Sequence, residues 1–420
     1  AERKVIPNAA RKYTAEPLQT IKKKDITMKK LILLSFMIIT FFACKNTSEI
    51  THEEFLKNQN LSAKEYILGL FETHDIVLLC ERNHKEVTQY DLIYNVVSDP
   101  YFIKNVGAVY TEVGTITISN RVNEFLESSG LDSMQIHRTV VDIYRDAEFD
   151  ALFAAGSFPA LLKKLYKLNQ LNNEKVNLYP CDAAWDWNKC LTPEYMAFVD
   201  STDLEVRDSL MAMNFISQFE NIQKSRNGKK KALIIMNSRH GYTKDTHHTD
   251  SVMRQNTGRY LKEKYENKLA SVLITGLGHP NSWNEYTVLQ NGKWDYLFES
   301  TNKTDIGFNI NQTSFGKDTF DMTPLGWKTD KFLYQDIFTG MVYYKKLDER
   351  VLITSYPGLM SKDFEPEFRR RWRIMDLSCG EEPDEDFIQE TIDFYYKVDT
   401  SRYGDIEKYR IKIEKWENGL

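Results

Sequence analysis

The chain has 420 residues, of which 42% are hydrophobic and 27% are charged, with 55 Lys and Arg against 60 Asp and Glu. This balance is ordinary for a folded protein, so it excludes disorder, collagen and coiled coil as the main character of the chain. A net charge of −5 gives no reason to expect nucleic acid as a partner, and five cysteines are too few for a disulfide-dense scaffold.

The first element along the chain has the pattern of a bacterial export signal. Residues 28–30 read Met-Lys-Lys and are followed by an apolar run from 31 to 43 and then by Cys44. A basic start, a short apolar stretch and a small last residue are typical of a signal peptide, and a transmembrane helix needs about 20 apolar residues. The cysteine resembles that of a lipobox, where it is lipidated and becomes the first residue of the mature protein. The alternative is a buried cysteine that ends a membrane anchor.

This signal divides the chain into segments. Residues 1–27 precede the Met and are interpreted as an upstream, mis-started segment, because a signal peptide normally begins the chain. Residues 28–43 form the predicted signal and 44–52 a polar tether. Residues 53–420 are predicted to form a single α/β domain.

Removing the signal changes the charge and the expected compartment. The first 43 residues hold nine basic and three acidic side chains, so the remainder carries a net charge near −11. We therefore expect an acidic domain that is anchored to a bacterial membrane through a lipidated Cys44, with Lys45 favouring the outer membrane. Disulfides persist outside the cytoplasm, so Cys181 and Cys190 are close enough in sequence to be a candidate pair.

Short apolar runs then alternate with helical patterns. Five runs are typical of buried parallel strands: 75–80, 107–112, 176–180, 231–236 and 271–275. Apolar residues recur at helical spacing within 53–71, 85–97, 119–128, 149–171, 193–225 and 250–265. The last third adds short strands at 286–289 and 351–355 and a helix at 384–396. The alternation predicts an α/β fold with a mostly parallel sheet flanked by helices, in which a helical insertion at about 130–225 covers the carboxyl edge of the strands.

Polar side chains follow the ends of all five predicted strands. Ligands of open parallel sheets bind beyond the carboxyl ends of the strands, so this edge is the expected site. The residues concerned are Glu81, His84, Glu112, Asp182, Asn237, His240 and His279. Each also has a structural explanation, such as a helix cap for an acid or a satisfied core position for a histidine. Glu112 lies in an otherwise apolar strand, where a buried carboxylate needs a partner.

Several common catalytic motifs are absent from the sequence. It contains no Gly-x-Ser-x-Gly nucleophile elbow, no phosphate-binding loop that ends in Lys-Ser or Lys-Thr, and no His-Glu-x-x-His zinc helix. Neither a serine nucleophile nor a nucleotide cofactor is therefore indicated.

The strand exits resemble, in order and spacing, those of the erythromycin esterase family and its wider relatives. That superfamily also includes haem-iron-binding lipoproteins and Tiki-type metalloproteases. The similar segments are Cys80–His84, Val109–Val113, Val176–Asp182, Asn237–His240 and Thr257–Leu261. The resemblance extends over about residues 65–280.

Three departures from the family pattern weaken any transfer of macrolide specificity. Cys80 stands where the family has glycine, and Asn237 stands where it has histidine. No arginine occurs between His84 and Arg121, where the family has one on a helix.

The resemblance implies a hydrolase that cleaves an ester or related acyl bond of a small molecule and needs no cofactor. His84 is the expected general base that activates water, with Glu81 and Glu112 orienting either the histidine or the water. His240 is expected to polarise the carbonyl or to protonate the leaving group. Substrate contacts are expected from Asn237, as an oxyanion donor, and from Asp182.

Two other functions remain open from the same residues. Two histidines with two or three carboxylates are a ligand set for Zn²⁺, Mn²⁺ or iron, so Glu81, His84, Glu112 and His240 are alternative metal ligands in a metal- or haem-binding lipoprotein. The third hypothesis is a non-catalytic surface lipoprotein that binds a glycan or peptide, with the old site decaying. The altered family positions are its support.

Overall fold

The computed structural model describes residues 50–149, 152, 156–204, 206–225, 229–249, 252–279, 285–323 and 332–418. The upstream segment, the predicted signal and Cys44 lie outside these residues. None of the described helices is long and apolar enough to cross a membrane.

Thirteen strands are described, and seven of them form one sheet. In chain order they are β1 Ile76–Glu81, β2 Ala108–Thr115, β3 Asn177–Asp182, β4 Ala232–Asn237, β5 Thr246–Thr249, β6 Val252–Arg254, β7 Leu269–Ile274, β8 Leu277–Gly278, β9 Thr287–Val288, β10 Asp305–Asn309, β11 Gly340–Tyr344, β12 Leu352–Ile353 and β13 Thr400–Ser401. The main sheet has the order β10-β11-β7-β1-β4-β2-β3. Only β10 and β11 pair antiparallel within it, which confirms the predicted mostly parallel α/β fold.

Sixteen α-helices are described among these residues. They are α1 His52–Lys57, α2 Ala63–Leu70, α3 Val87–Val97, α4 Pro100–Asn105, α5 Ser119–Glu127, α6 Ser133–Arg145, α7 Ser157–Leu171, α8 Pro193–Val199, α9 Arg207–Lys224, α10 Thr257–Tyr265, α11 Lys293–Ser300, α12 Ser314–Lys317, α13 Tyr334–Ile337, α14 Glu365–Ser378, α15 Glu385–Tyr396 and α16 Ile406–Glu417. A π-helical turn at Asp200–Leu204 lies between α8 and α9.

The central strands are apolar because both faces of the sheet are covered. Val77 and Leu79 belong to one buried cluster, whereas Ile76, Leu78 and Cys80 belong to another. Side chains alternate between the two faces of a strand, so each face has its own core. This explains why the strands read as continuous apolar runs in the sequence.

Two predicted helices begin later than the sequence pattern indicates. The helix predicted from 149 begins at Ser157, because Leu152 has a left-handed backbone with φ of 68°, which a right-handed helix cannot include. The helix predicted from 250 begins at Thr257, whose backbone N–H donates to Asp208, and β6 precedes it in a hairpin with β5.

The last third of the chain contributes more to the main sheet than the sequence pattern indicates. β10 and β11 extend the sheet beside β7 and were not predicted. Earlier in the chain, the helix α4 was not predicted either. The candidate disulfide is not formed. Cys181 and Cys190 are both buried, and each is a free cysteine.

The strand order determines which strand ends are neighbours. β4 returns between β1 and β2, and β3 lies on the outer side of β2. The carboxyl ends of these four strands therefore lie side by side, which brings together side chains as far apart in the chain as Glu81 and His240.

Candidate active site

The end of β1 carries the first two groups of the site. Glu81 is the last residue of β1 and pairs in register with Asn237 of β4. His84 follows three residues later, so its imidazole Nδ1 contacts the carboxylate of Glu81. The other ring nitrogen, Nε2, lies 3.6 Å from Oε1 of Glu112. His84 is thus held between two carboxylates.

Glu112 is the shared acceptor of the site. One of its oxygens, Oε2, accepts a hydrogen bond of 2.7 Å from the backbone N–H of Asn237. The other, Oε1, lies 3.1 Å from Nε2 of His240 and 3.3 Å from a guanidinium nitrogen of Arg207. A buried carboxylate in a strand is stable here because two cationic side chains and one amide surround it.

An irregularity in β2 accompanies this arrangement. The pairing of β2 with β3 shifts register between Thr111 and Thr115, and Gly114 between them has a φ of +104°. A Cβ at this glycine would lie 3.0 Å from the side chain of Pro180. The bulge therefore requires glycine, and it re-aims the strand at the position of the glutamate.

His240 is fixed from both sides in the turn after β4. Its Nδ1 lies 2.7 Å from Oδ1 of Asp208, which also accepts hydrogen bonds of 3.0 Å from the backbone N–H and the hydroxyl of Thr257. The histidine is only 2% exposed. It therefore lies behind the surface of the site, between Asp208 and Glu112.

Arg207 and two further acids complete the cluster. Arg207 begins α9 and donates two hydrogen bonds of 2.7 Å to the two oxygens of Asp182 at the end of β3. Glu148 is buried nearby and accepts a 2.7 Å hydrogen bond from the backbone N–H of Gly114. The active-site cluster consists of eight side chains: Glu81, His84, Glu112, Glu148, Asp182, Arg207, Asp208 and His240.

The carboxylates dominate the protonation of the two histidines. Burial alone lowers the pKa of His84, but the charges of Glu81 and Glu112 outweigh it and hold that pKa well above its usual range. Burial likewise lowers the pKa of His240, and Asp208 and Glu112 raise it overall. Both histidines are therefore favoured in the imidazolium form within the cluster.

The pKa values of the buried acids shift in two opposite directions. Burial raises the pKa of Glu112, but His240 and His84 more than offset this and hold the pKa well below its ordinary value. Burial has the same tendency at Asp208, and His240 brings its pKa down to about 2. Burial and the charge of Asp182 hold the pKa of Glu148 well above its ordinary value, so this acid is favoured in its neutral form.

A cavity of about 420 Å³ opens beside the cluster. His84 and Asn237 form part of its wall, whereas the carboxylates of Glu81 and Glu112 lie behind them with side chains 1% and 3% exposed. The lining residues are Arg82, Asn83, His84, Lys85, Asn237, Ser238, Arg239, Tyr242, Leu277, His279, Tyr286, Met322, Thr323 and Tyr403. The histidine between the two glutamates is thus the member of the cluster that faces this space.

The structure brings most of the sequence-predicted site residues together. Glu81, His84, Glu112 and His240 form one connected group, and Asp182 joins it through Arg207. Asn237 contributes its backbone N–H to Glu112, and its side chain amide contacts the backbone oxygen of Arg82 at 3.4 Å. His279 lies on the cavity wall, where its ring packs 4.1 Å from that of Tyr286.

Three members of the cluster were not predicted from the sequence. Arg207 and Asp208 begin a helix in the insertion, and Glu148 follows α6, so none of them follows a strand. One signal was available, since a buried Glu112 requires a cationic partner and no arginine follows His84 closely. That signal names the residue type and leaves its position in the chain open.

Comparisons with known proteins found solved structures at low sequence identity and with TM-scores below 0.5. No protein-family model matches the chain, and no curated protein matches it. An erythromycin esterase mutant, EreC, in its open conformation is 11% identical with a TM-score of 0.44, over 69% of this chain and 96% of that protein. A Bacillus cereus protein is 14% identical with a TM-score of 0.40, over 66% and 90% of the two chains. A succinoglycan biosynthesis protein is 10% identical with a TM-score of 0.41, over 66% and 89%.

Proposed function

We propose that this protein is a hydrolase that cleaves an ester or related acyl bond of a small molecule with water activated by His84. The observation that carries the proposal is the position of His84. Its ring lies on the wall of the cavity, and the carboxylates of Glu81 and Glu112 lie at its two nitrogens. A histidine with a carboxylate behind it is the usual arrangement of a general base.

The two glutamates have distinct roles in this mechanism. Glu81 contacts Nδ1 and fixes the orientation of the imidazole, which leaves Nε2 on the side of Glu112. The neutral ring accepts a proton from water that enters from the cavity, and the resulting imidazolium is stabilised by both carboxylates. Because the same carboxylates raise the pKa of His84, we expect the rate of hydrolysis to increase with pH as the ring loses its resting proton. The separation of 3.6 Å between Nε2 and Oε1 of Glu112 is longer than a hydrogen bond. We expect this distance to shorten when substrate binds.

The remaining groups serve the carbonyl and the leaving group. Asn237 lines the same cavity and carries a side-chain amide whose N–H donors suit a developing oxyanion. His240 is buried between Asp208 and Glu112, so we assign it to holding Glu112 in place. The neutral Glu148 is a reserve of one proton within the cluster.

The test is hydrolysis of a panel of 4-nitrophenyl esters by the protein that begins at Ser48. We expect turnover by the wild type and a fall in kcat/KM of about 10²- to 10⁴-fold in His84→Gln, because general-base catalysis contributes that much. His74→Gln is the matched control, since His74 precedes β1 at the opposite edge of the sheet. Equal rates for wild type and His84→Gln would contradict the assignment.

A metal-dependent hydrolase is the second candidate, because Glu81, His84 and Glu112 each offer one ligand atom within 4.8 Å of one another. These oxygen and nitrogen donors suit Zn²⁺ or Mn²⁺, with Nε2 and Oε1 of Glu112 as neighbouring ligands and Glu81 orienting the ring from Nδ1. Bound metal would supply an activated water. Arg207, 3.3 Å from the same Glu112 oxygen, opposes a dication there.

Elemental analysis of protein purified without a histidine tag separates the two candidates. Stoichiometric metal that is lost in Glu81→Ala supports the metal-dependent hydrolase. Full ester hydrolysis in metal-free protein supports the cofactor-free one.

We also propose that the protein is exported and anchored to a bacterial membrane, facing the periplasm or the exterior, through a lipidated Cys44. The support is the sequence alone, in which a basic start and an apolar run precede this cysteine. Labelling of cells with a palmitate analogue should mark the wild type and leave Cys44→Ser unlabelled. Equal labelling of both proteins would refute the anchor.

A further inference from the structure

The wall of the cavity has a charge opposite to that of the chain. Acidic residues outnumber basic ones in the whole sequence, at 60 to 55. Among the described residues that line the cavity, however, none is Asp or Glu, while three are Arg or Lys and two are His. The basic lining residues are Arg82, Lys85 and Arg239 together with His84 and His279.

Nearby carboxylates lie behind this wall. Glu81 and Glu112 are covered by His84, and their charges are matched within the cluster by its histidines and Arg207. Glu86 is fully buried and forms an ion pair with Arg82. Arg82 is therefore neutralised locally, and it does not account for a binding site by itself.

Arg239 differs from Arg82 in its surroundings. Its side chain is 30% exposed, and one of its guanidinium nitrogens, Nη2, lies 2.9 Å from Nε2 of His240. Its ion-pair contact with Asp208 is 3.9 Å long. That carboxylate is already engaged through Oδ1 by His240 at 2.7 Å and by Thr257 at 3.0 Å. A guanidinium has five N–H donors in a planar fork that matches a carboxylate or phosphate, so Arg239 retains donors for a ligand.

The rest of the wall suits an organic group attached to such an anion. Tyr242, Tyr286, Leu277 and Met322 give the cavity an apolar side. Pockets for small molecules combine such a surface with a few polar groups that fix orientation.

We infer that the substrate carries an anionic group, a carboxylate, sulfate or phosphate, and that Arg239 binds this group in the cavity. This inference rests on the proposed function, because it takes the bound molecule to be a substrate. It makes Arg239 a specificity-determining residue. Arg239 places the anion beside Asn237, and the ester carbonyl then lies toward His84 on the same wall. Lys85, which also lines the cavity, adds positive charge to its wall.

Paired esters test the preference for an anion. The pair consists of 4-nitrophenyl esters whose acyl chains end in a carboxylate or in the uncharged carboxamide of the same length. The wild type should show a higher kcat/KM for the carboxylate. The ratio of the two values should fall about tenfold in Arg239→Gln and recover in part in Arg239→Lys, which restores a positive charge.

The matched control is Arg121→Gln, because Arg121 pairs with Asp146 on the surface and is 43% exposed. It should keep the wild-type ratio. A wild-type ratio near one, or a ratio that falls equally in Arg239→Gln and Arg121→Gln, would overturn the inference. Melting curves of the three variants report whether each is folded.

A binding measurement separates this inference from the hydrolase proposal. Calorimetric titration with glutarate, inorganic sulfate or inorganic phosphate, at constant ionic strength, identifies which anion is bound. Binding that weakens about tenfold in Arg239→Gln supports the anion site even if no ester is hydrolysed, in which case only the hydrolase proposal fails. Ester hydrolysis without any anion binding and without a charge preference refutes the anion site alone.

Discussion

Two buried clusters of charge flank the end of β1, and they are built from different residues. The active-site cluster contains two histidines among its acids and Arg207. The arginine cluster, defined as Arg82, Glu86, Asp295, Arg350 and Tyr403, contains no histidine. In the arginine cluster Arg82 pairs with Glu86, whose other oxygen accepts a 2.7 Å hydrogen bond from the hydroxyl of Tyr403. One short segment, 81–86, supplies residues to both clusters.

The difference lies in which groups change charge near neutral pH. Arginine stays protonated in proteins, and burial holds the pKa of Tyr403 well above its ordinary value, so neither group exchanges protons. Arg82 instead donates hydrogen bonds of 3.0 and 3.4 Å to the backbone oxygens of Tyr344 and Thr275, which connects β1 to the neighbouring strands. The arginine cluster is therefore a structural clamp, and the active-site cluster is the one suited to chemistry.

The largest expected effect is on catalysis, and it separates the two clusters. Glu112→Gln removes the charge shared by His84, His240 and Arg207, so we expect kcat/KM for an ester substrate to fall about 10³-fold. The measurement is steady-state hydrolysis with the fraction of folded protein determined in parallel. A smaller fall in Glu112→Gln than in Glu86→Gln would remove the distinction between the clusters.

The next effect is on stability and belongs to the arginine cluster. Glu86→Gln leaves the buried guanidinium of Arg82 without its counter-charge, so we expect the free energy of unfolding to fall by about 3–5 kcal/mol. Urea denaturation measures this loss. The double variant Arg82→Met with Glu86→Leu should recover much of it, because apolar residues can replace a buried ion pair. Failure of any recovery would argue against a purely structural clamp.

A smaller effect is expected at the bulge that supports Glu112. Gly114→Ala forces a residue with a Cβ into a positive φ and toward Pro180, which should cost about 1–3 kcal/mol of unfolding free energy. Gly130→Ala is the control, since its φ is also positive and nothing lies within 4 Å of the added Cβ. A loss in Gly114→Ala no greater than in Gly130→Ala would show that the contact with Pro180 is relieved at no cost.

The smallest effect concerns pH. The pKa of His240 is raised by Asp208 and Glu112, so the stabilisation by its charge is full below its unfolded pKa near 6.5 and is lost as pH rises through the raised folded value. In metal-free protein, Asp208→Asn should lower the pKa of His240, as measured by NMR of the ring protons. The gap in unfolding free energy between wild type and variant should then narrow as pH rises above neutrality. A gap that widens instead would contradict the sign of this linkage.

The sequence indicated the sheet and five members of the active-site cluster, because these depend on local pattern. Buried parallel strands are apolar throughout, and the acids and histidines that follow them stand out against that background, as at Glu81 and His84. The strand order alone places these strand ends side by side, whatever the sequences of the turns. Strand β2 is the exception within this group, because Glu112 lies inside the strand and its burial required a partner.

Arg207, Asp208 and Glu148 could not be located in the same way. Arg207 and Asp208 begin a helix of the insertion and Glu148 follows another, so their positions depend on how those helices pack over the sheet. A helix beginning with Arg-Asp has the same sequence pattern whether it faces solvent or a carboxylate cluster. The late start of α10 has a similar origin, since the side chain of Asp208 caps it from a distance of 49 residues in sequence. Tertiary contacts of this kind leave no periodic signal.

The hydrogen bond from the backbone N–H of Asn237 to Glu112 makes the sheet itself a reporter of the site. The last rung of the ladder between β4 and β2 is closed by a side chain carboxylate, at 2.7 Å, where a backbone carbonyl would ordinarily be the acceptor. Anything that removes the negative charge of that carboxylate, such as a proton, a metal ion or the substitution Glu112→Gln, also weakens this hydrogen bond at the end of the sheet. The amide resonance of Asn237 and its rate of hydrogen exchange therefore follow the charge at Glu112 without any substrate being present.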